Sequence, residues 1–273
     1  MIPFASRAAG ALLAAAILAL PIAAEAHRSW LLPSATVLSG KDPWVTVDAA
    51  VSNDLFFFEH NPLRLDGLGV TGPDGKAVSA QNQSTGRFRS TFDLHLAQPG
   101  TYKLAIVNQG VFASYKVNGQ TKRWRGTAQR FATEVPADAQ ELNVVESIRR
   151  VEAFVTAGKP TTGVFAPTGV GLELAPDTHP NDLIAKSEAR FRLLFDGKPA
   201  AGAKVELVRG GIRYRDRLGD VELTTDSDGW ISITWPEPGM YWMEATMRGG
   251  KAALPQAKER RATYIVTLEV LPE

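Results

Sequence analysis

The strongest constraint on the fold is a repeated pattern of short apolar runs, each closed by a turn rich in glycine or proline. Residues 87–96 and 203–208 both alternate apolar and polar side chains. Alternation with a period of two is typical of a strand that buries one face. Many such strands at short spacing predict an all-β protein. We expect helices only at residues 136–148 and 182–188.

One five-residue motif occurs twice, once in each half of the chain. Residues 98–102 and 237–241 share the form x-Pro-Gly-x-Tyr, and a strand pattern follows each of them. The same corner in both halves favours two related sandwiches. We therefore predict two immunoglobulin-like or transthyretin-like β-sandwich domains, at residues 27–148 and 187–273, with an irregular connection at 149–186.

The first 26 residues have the pattern of a cleavable secretory signal. Arg7 precedes an uncharged run rich in alanine and leucine, which ends with small residues at positions −3 and −1 of a cut after Ala26. The alternative is an uncleaved anchor, but the run is slightly short for a membrane span of about 20 residues. We expect a signal peptide at 1–26 and a periplasmic mature protein that is not embedded in a membrane.

A cut after Ala26 makes His27 the first residue, with a free α-amine beside its imidazole. The pKa of an unperturbed α-amine is about 7.7–8.0, so the amine can lose its proton near neutral pH and bind a metal. The amine and the ring Nδ1 can close a six-membered chelate ring. Because nitrogen ligands of this kind suit copper and nickel, His27 is a candidate metal ligand. The alternative is that cleavage leaves a histidine there by coincidence.

The composition limits any transition-metal site to nitrogen and oxygen ligands. The chain has no cysteine and only four histidines, so a thiolate site is excluded. Besides His27, the candidate metal ligands are His60, His95 and His179. Each has a structural alternative. His60 can be a turn residue in the aromatic loop 56–62, and His95 can lie on the polar face of a strand. His179 can belong to a surface loop with two nearby aspartates.

Charge and missing motifs exclude several classes of function. The 30 basic and 29 acidic residues nearly cancel, which argues against nucleic acid as a partner. The sequence has no Gly-x-Ser-x-Gly, His-Glu-x-x-His or P-loop motif, so we expect that it is not an enzyme. Residues 226–229 resemble part of a calcium loop, but the full pattern is absent and a hairpin turn is expected.

Four segments together resemble one known family. They are residues 26–33, 171–176, 194–199 and 225–239. In these segments the chain resembles the NikM-like periplasmic family, which is of largely unknown function and is associated with nickel or cobalt uptake. The resemblance implies metal-related transport, and of its motif positions only His27 carries over as a candidate ligand. The membrane segments that some such domains carry are missing, which favours binding or delivery.

The C-terminal half also resembles the transthyretin-like, carboxypeptidase-regulatory type of sandwich, which is usually non-catalytic. Our main hypothesis is a periplasmic protein that binds nickel, cobalt or copper and assists its uptake or delivery to a membrane transporter or receptor. The alternative is a non-catalytic envelope module that binds a membrane receptor or a glycan without metal. A third hypothesis is a copper oxidase acting on polysaccharides, because an N-terminal histidine can form a copper brace in such enzymes.

Overall fold

The protein consists almost entirely of β-strands. A computed structural model describes residues 27–273, so the predicted signal peptide at 1–26 lies outside the described residues. The first ten strands are β1 (Arg28–Pro33), β2 (Val37–Leu38), β3 (Trp44–Ser52), β4 (Asn61–Pro62), β5 (Leu68–Thr71), β6 (Ala77–Val78), β7 (Gln81–Thr85), β8 (Ser90–His95), β9 (Gly100–Val117) and β10 (Gln120–Gly126). The others are β11 (Gln140–Ala157), β12 (Leu172–Pro176), β13 (Leu183–Ile184), β14 (Glu188–Phe195), β15 (Lys198–Pro199), β16 (Lys204–Arg209), β17 (Val221–Thr224), β18 (Trp230–Thr234), β19 (Gly239–Arg248) and β20 (Ala257–Leu271). One α-helix, α1 (Ala128–Glu134), and two short 3-10 helices (Gly163–Phe165 and Ile212–Tyr214) complete the described chain.

The largest sheet is shared by both halves of the chain. It has 11 strands, with the order β17-β16-β19-β20-β11-β9-β5-β6 and with β10, β13 and β2 paired at its sides. Strands β11 and β20 run parallel within it, so backbone hydrogen bonds join the two halves directly. A 5-stranded sheet contains β1, β3, β8 and β7 with β4 on β3, and a 4-stranded sheet contains β12, β14 and β15 with β18 on β14.

The two smaller sheets pack on opposite faces of the central sheet. In β11, Val151 and Val155 belong to the core under the 5-stranded sheet, whereas Ile148 and Phe154 belong to the core under the 4-stranded sheet. Successive side chains of a strand point to opposite faces, so one strand can serve two cores. The prediction of an all-β sandwich protein is confirmed, and its two sandwiches share their central layer.

The middle of the chain differs from the sequence prediction. The irregular connection was expected to begin at residue 149, but β11 continues to Ala157. Most of the segment 136–148, for which a helix was expected, also lies in β11. Residues 182–188 contain β13 and the start of β14 in place of a helix. Pairing of β11 with β9 on one edge and β20 on the other outweighs a weak helical pattern, because strand formation depends strongly on tertiary context.

The repeated x-Pro-Gly-x-Tyr motif forms the same corner in both halves. Each tyrosine hydroxyl donates to the backbone carbonyl four residues earlier, at 2.9 Å for Tyr102 and 2.7 Å for Tyr241. The glycines of the two motifs, Gly100 and Gly239, have φ angles of 128° and 139°, which a side chain would strain. The sequence repeat is therefore a structural repeat at the start of β9 and β19.

Candidate metal centre and the adjacent cleft

Two of the four candidate histidines lie together at one end of β3. Strand β1 pairs with one edge of β3 from Arg28 onward, and β4 pairs with its other edge from Asn61 onward. His27 and His60 immediately precede these two strands, so they flank the same end of β3. Their ring centroids are 3.7 Å apart, with the ring planes inclined by 44°. Both residues are exposed to solvent.

The loop that carries His60 is closed by a neighbouring carboxylate. Glu59 Oε1 accepts the backbone N–H groups of Asn53 and Asp54, at 2.8 and 2.9 Å. The acidic side chain that the sequence places beside His60 thus holds the loop that follows β3. The backbone on both sides of the histidine is fixed by this loop and by β4.

An aromatic cluster anchors the same loop to the protein core. The ring centroids of Phe56 and Phe58 both lie 5.5 Å from that of Trp30, which is fully buried. The guanidinium carbon of Arg213 lies 3.8 Å from the ring centroid of Phe57, so the second half of the chain also contacts this loop. Packing of this kind preorganises a binding site, because the supporting residues cannot move freely.

The structure places His95 at the opposite end of β3. It pairs with Trp44, eight residues from the end that carries the histidine pair, which is about 26 Å at about 3.3 Å per residue. Its ring stacks on Trp44 with 4.6 Å between centroids, and its Nε2 contacts Asp42. Both flanking leucines are buried, which confirms that His95 lies on the polar face of its strand.

His179 belongs to a half-buried polar cluster near the start of β9. Its Nδ1 accepts the backbone N–H of Asn181 at 3.0 Å, while its Nε2 lies 3.0 Å from Thr101 Oγ1 and 3.2 Å from the carbonyl oxygen of Thr161. This pattern fits a neutral imidazole with its proton on Nε2. Burial lowers the pKa of His179, against the hydrogen bond to Thr161 and the charge of Asp182. Both ring nitrogens are therefore engaged within the fold.

The described residues contain no larger cluster of metal-binding side chains. Across residues 27–273, no group of three or more histidine, aspartate or glutamate side chains is arranged to hold a metal ion. The segment 226–229 forms the expected turn, in which Asp226 Oδ1 accepts the backbone N–H groups of Asp228 and Trp230. Of the four predicted ligands, only His27 and His60 come together.

A cleft of about 750 Å³ opens beside His27 on an uncovered part of the central sheet. It is lined by the start of β1, by β9, β10 and β11, and by β16, β19 and β20. Its charged residues are four arginines and two glutamates: Arg28, Arg64, Arg125, Arg149, Glu206 and Glu244.

Ion pairs across the strands partly neutralise this cleft. Arg28 Nη2 lies 2.9 Å from Glu206 Oε1, whereas Arg149 Nη2 lies 3.9 Å from Glu244 Oε2. Burial raises the pKa of Glu244, against the opposing effect of the charge on Arg149. Sequence reasoning missed these residues. The only local signal for such residues is a charged side chain within an apolar strand pattern. Glu206 and Glu244 are paired across β16 and β19, and the sequence does not show this pairing.

The fold and the site define a class: an all-β sandwich protein with an exposed histidine pair beside a charged cleft. The chain belongs to the family described as a domain of unknown function, DUF4198, whose sequence profile matches residues 24–249. No curated protein matches the chain. In the described part of the chain, no helix is both long and apolar enough to cross a membrane.

Several solved structures match the chain at low identity. Escherichia coli alpha-2-macroglobulin activated by porcine elastase is 13% identical with a TM-score of 0.24, and the match covers 90% of this chain and 20% of that one. The D0-D1 domain of intimin is 13% identical with a TM-score of 0.21, covering 88% and 97% of the two chains. The fibronectin(III)-like modules of Clostridium thermocellum CbhA are 10% identical with a TM-score of 0.19, covering 88% and 94%. The chain thus spans a fifth of the length of the macroglobulin, and no property of these proteins is carried over to it.

Proposed function

We propose that this protein is a periplasmic metal-binding protein that binds nickel, cobalt or copper through His27 and His60 and assists the uptake or delivery of the ion. The observation that carries the proposal is the convergence of two exposed imidazoles, 3.7 Å apart between centroids, from two different segments of the chain. Imidazole is a preferred ligand of copper and nickel. Neither histidine packs in a core, so its presence at this point is not explained by stability.

The α-amine of His27 provides a third nitrogen ligand in this proposal. Cleavage after Ala26 frees the amine, which chelates the ion together with Nδ1 of the same residue, while His60 donates one ring nitrogen. Metal–nitrogen bonds of about 2.0–2.1 Å require the two rings to rotate apart around the ion. Little packing opposes this rotation, because both side chains are exposed. Three nitrogen ligands suit copper(II) and nickel(II), with water in the remaining positions.

Exposure of the site favours a carried ion over a permanent cofactor. An ion held by two exposed histidines at the rim of a cleft can be reached by a partner protein without unfolding of the carrier. The proposed partner is a membrane transporter or receptor, and the resemblance to NikM-like proteins supports an uptake role. Copper should bind most tightly and cobalt least tightly, since affinities of nitrogen sites follow the order cobalt, nickel, copper.

The proposal is tested by metal titration of the mature chain after mass spectrometry has confirmed its first residue. We expect one copper(II) ion per chain. His27→Ala and His60→Ala should each weaken binding by at least about tenfold, or about 1.4 kcal/mol. His95→Ala is the matched control and should leave the affinity unchanged, because this residue lies at the far end of β3. Equal affinities for all four proteins would refute the site.

A second experiment isolates the contribution of the α-amine. Acetylation of the α-amine of His27 keeps both imidazoles and removes the amine as a ligand. We expect this chain to lose the chelate and to bind copper at least about tenfold more weakly than the mature protein. An unchanged affinity would show that the imidazoles alone hold the ion.

A second candidate function is a non-catalytic envelope module that binds a receptor or a glycan without metal. Strand β7 favours it: all five of its residues are exposed, and within residues 27–273 it pairs with β8 alone. An exposed strand edge can pair with a strand of another protein. A membrane partner whose binding survives both His27→Ala and a chelator would support this function. Neither candidate requires catalysis, and the expectation that the protein is not an enzyme stays a prediction.

A further inference from the structure

The cleft beside His27 contains more positive charge than its ion pairs neutralise. We infer that the cleft binds a small polycarboxylate anion through Arg125 and Arg149, and that this anion arrives as the organic ligand of the metal ion. The inference that the anion binds depends only on the residues of the cleft. The inference that the anion is a ligand of the metal ion rests on the proposed function.

The two arginines project from the same face of the central sheet. Arg125 of β10 is paired with Phe112 of β9, and Arg149 of β11 is paired with Asn108 of β9. Residues 108 and 112 are four positions apart in one strand, so they and their partners share a face. All four residues line the cleft. The guanidinium carbon of Arg125 lies 5.2 Å from the ring centroid of Phe112, which orients the group over the cleft.

Arg125 and Arg149 differ from the other two arginines of the cleft in their partners. Arg28 and Arg64 each hold a carboxylate, at 2.9 and 2.6 Å. Arg149 is 3.9 Å from the carboxylate of Glu244, beyond hydrogen-bond distance, and Arg125 contacts the ring of Phe112 and makes no ion pair with any residue from 27 to 273. The positive charge of the cleft that no ion pair neutralises is therefore on Arg125, and Arg149 beside it is held by its carboxylate only at 3.9 Å.

The two arginines act on each other through their like charges, which is unfavourable without a bound anion. Burial lowers the pKa of Arg149, and the charge of Arg125 lowers it further, against the opposing effect of Glu244. Two guanidinium groups that repel each other are well suited to share one anion, because each can donate two parallel hydrogen bonds to a carboxylate. A compound with several carboxylates can occupy both groups at once.

The remaining features of the cleft fit a small organic anion. Its volume of about 750 Å³ lies within the range of about 300–1,000 Å³ that is typical of small-molecule sites. Asn108, Ser147 and Thr263 also line it and offer amide and hydroxyl groups for further hydrogen bonds. Arg28 neutralises Glu206, and Glu244 lies beyond hydrogen-bond distance of Arg149, so Arg125 and Arg149 both keep hydrogen-bond donors free for an anion.

The cleft and the histidine pair are contiguous through His27, which lines the cleft itself. A polycarboxylate bound in the cleft therefore shares one continuous space with the proposed metal ligand His27. Carboxylate oxygens can fill the positions that three nitrogen ligands leave open on nickel(II) or cobalt(II). The anion would thereby be recognised by the arginines and the ion by the histidines, so that the protein selects a metal complex over a bare ion.

The first test is a calorimetric titration of citrate into the mature, metal-free protein in the presence of a chelating resin. We expect saturable binding at one site. Arg125→Met and Arg149→Met should each weaken it by at least about tenfold, since charge-assisted bidentate hydrogen bonds are lost. Arg123→Met, on the same strand but outside the cleft, is the matched control and should bind as the wild type does. Thermal unfolding of each variant verifies that it is folded.

Copper titration without citrate separates this inference from the proposed function. If copper binds and citrate does not bind at millimolar concentration, the inference is overturned and the metal site stands. If citrate binds with the expected loss in both arginine variants, while copper does not bind, the anion site stands and the role of the anion as a metal ligand is overturned.

The second test measures whether the anion and the metal bind together. Equilibrium dialysis of citrate with and without nickel should show tighter citrate binding in the presence of nickel for the wild type. His60→Ala should abolish this gain while retaining the affinity for citrate alone, because linked binding is reciprocal and needs both sites. A citrate affinity that nickel leaves unchanged would overturn the coupling of anion and metal.

Discussion

Replacing Trp242 by phenylalanine tests whether the second half of the chain holds in place the end of β1 that follows His27. Trp242 lies in β19, yet its ring is buried in the core under the 5-stranded sheet. Its Nε1 donates to the backbone carbonyl of Ser29 at 3.0 Å, and the guanidinium of Arg28 lies 5.3 Å from its ring centroid. The side chain therefore contacts the two residues that follow His27.

Two effects determine the expected loss of stability. Phenylalanine cannot donate a hydrogen bond, so the buried carbonyl of Ser29 loses this partner, which costs about 1–3 kcal/mol. The smaller ring leaves a void of about 40 Å³, and at about 24 cal/mol per Å³ this adds about 1 kcal/mol. We expect Trp242→Phe to lower the free energy of unfolding by about 2–4 kcal/mol.

Urea unfolding followed by circular dichroism measures this change, and copper titration of the same variant measures the effect on the site. Trp44→Phe is the matched control: this tryptophan is 43% exposed, and its replacement should change the free energy of unfolding by less than about 0.5 kcal/mol. Copper affinity should fall in Trp242→Phe and stay constant in Trp44→Phe. If both variants were equally stable, the anchoring role of Trp242 would be refuted.

Two further predictions concern buried charge. Arg150 lies between Glu152 and Glu173, at 3.3 and 3.4 Å, and all three are buried, so Arg150→Met should destabilise the protein by about 3–5 kcal/mol in urea unfolding. A loss below about 1 kcal/mol would contradict a charged network there. Because burial lowers the pKa of His179, the unfolded chain binds that proton more readily, and stability should fall as the pH drops through about 6.5. His179→Gln should flatten this decline in urea unfolding measured at neutral and mildly acidic pH, and an identical decline in both proteins would count against the assignment.

Local features of the fold were predictable from the sequence because their causes are local. Alternating side chains are a strong local signal for a strand, and the alternating segments 87–96 and 203–208 contain β8 and most of β16. The corner motif depends on a glycine with positive φ and on a tyrosine that bonds four residues back, as Gly100 and Tyr102 show. Both requirements lie within five residues, so the sequence carries the complete signal.

The shared central sheet was not predictable, because its cause is long-range. Residues 144–153 of β11 pair with 257–267 of β20, more than 100 positions away in sequence. Alternation in a single strand indicates which residues are buried, but it does not specify the neighbouring strand. The expectation of a connection from residue 149 failed for this reason: residues 149–157 belong to β11, and the turn residues of the connection begin only at Gly158.

The candidate site was likewise only partly predictable from the sequence. Residue type singled out four histidines, yet only strand pairing brings His27 next to His60. His95 and His179 have the same chemistry, but Asp42 and Thr161 engage their ring nitrogens elsewhere in the fold. The sequence can thus identify candidate ligands by residue type. Whether two of them lie together depends on which strands pair with the two edges of β3.

Three contacts show that the histidine pair depends on both halves of the chain. Trp242 holds the backbone after His27, Glu206 pairs with Arg28, and Arg213 lies over a phenylalanine in the loop before His60. All three come from β16, β19 or the segment between β16 and β17. Each histidine is therefore positioned by strands from the first half and braced by side chains from the second. A metal ion at this point would therefore bind two segments of the first half, and the positions of both segments depend on side chains of the second half.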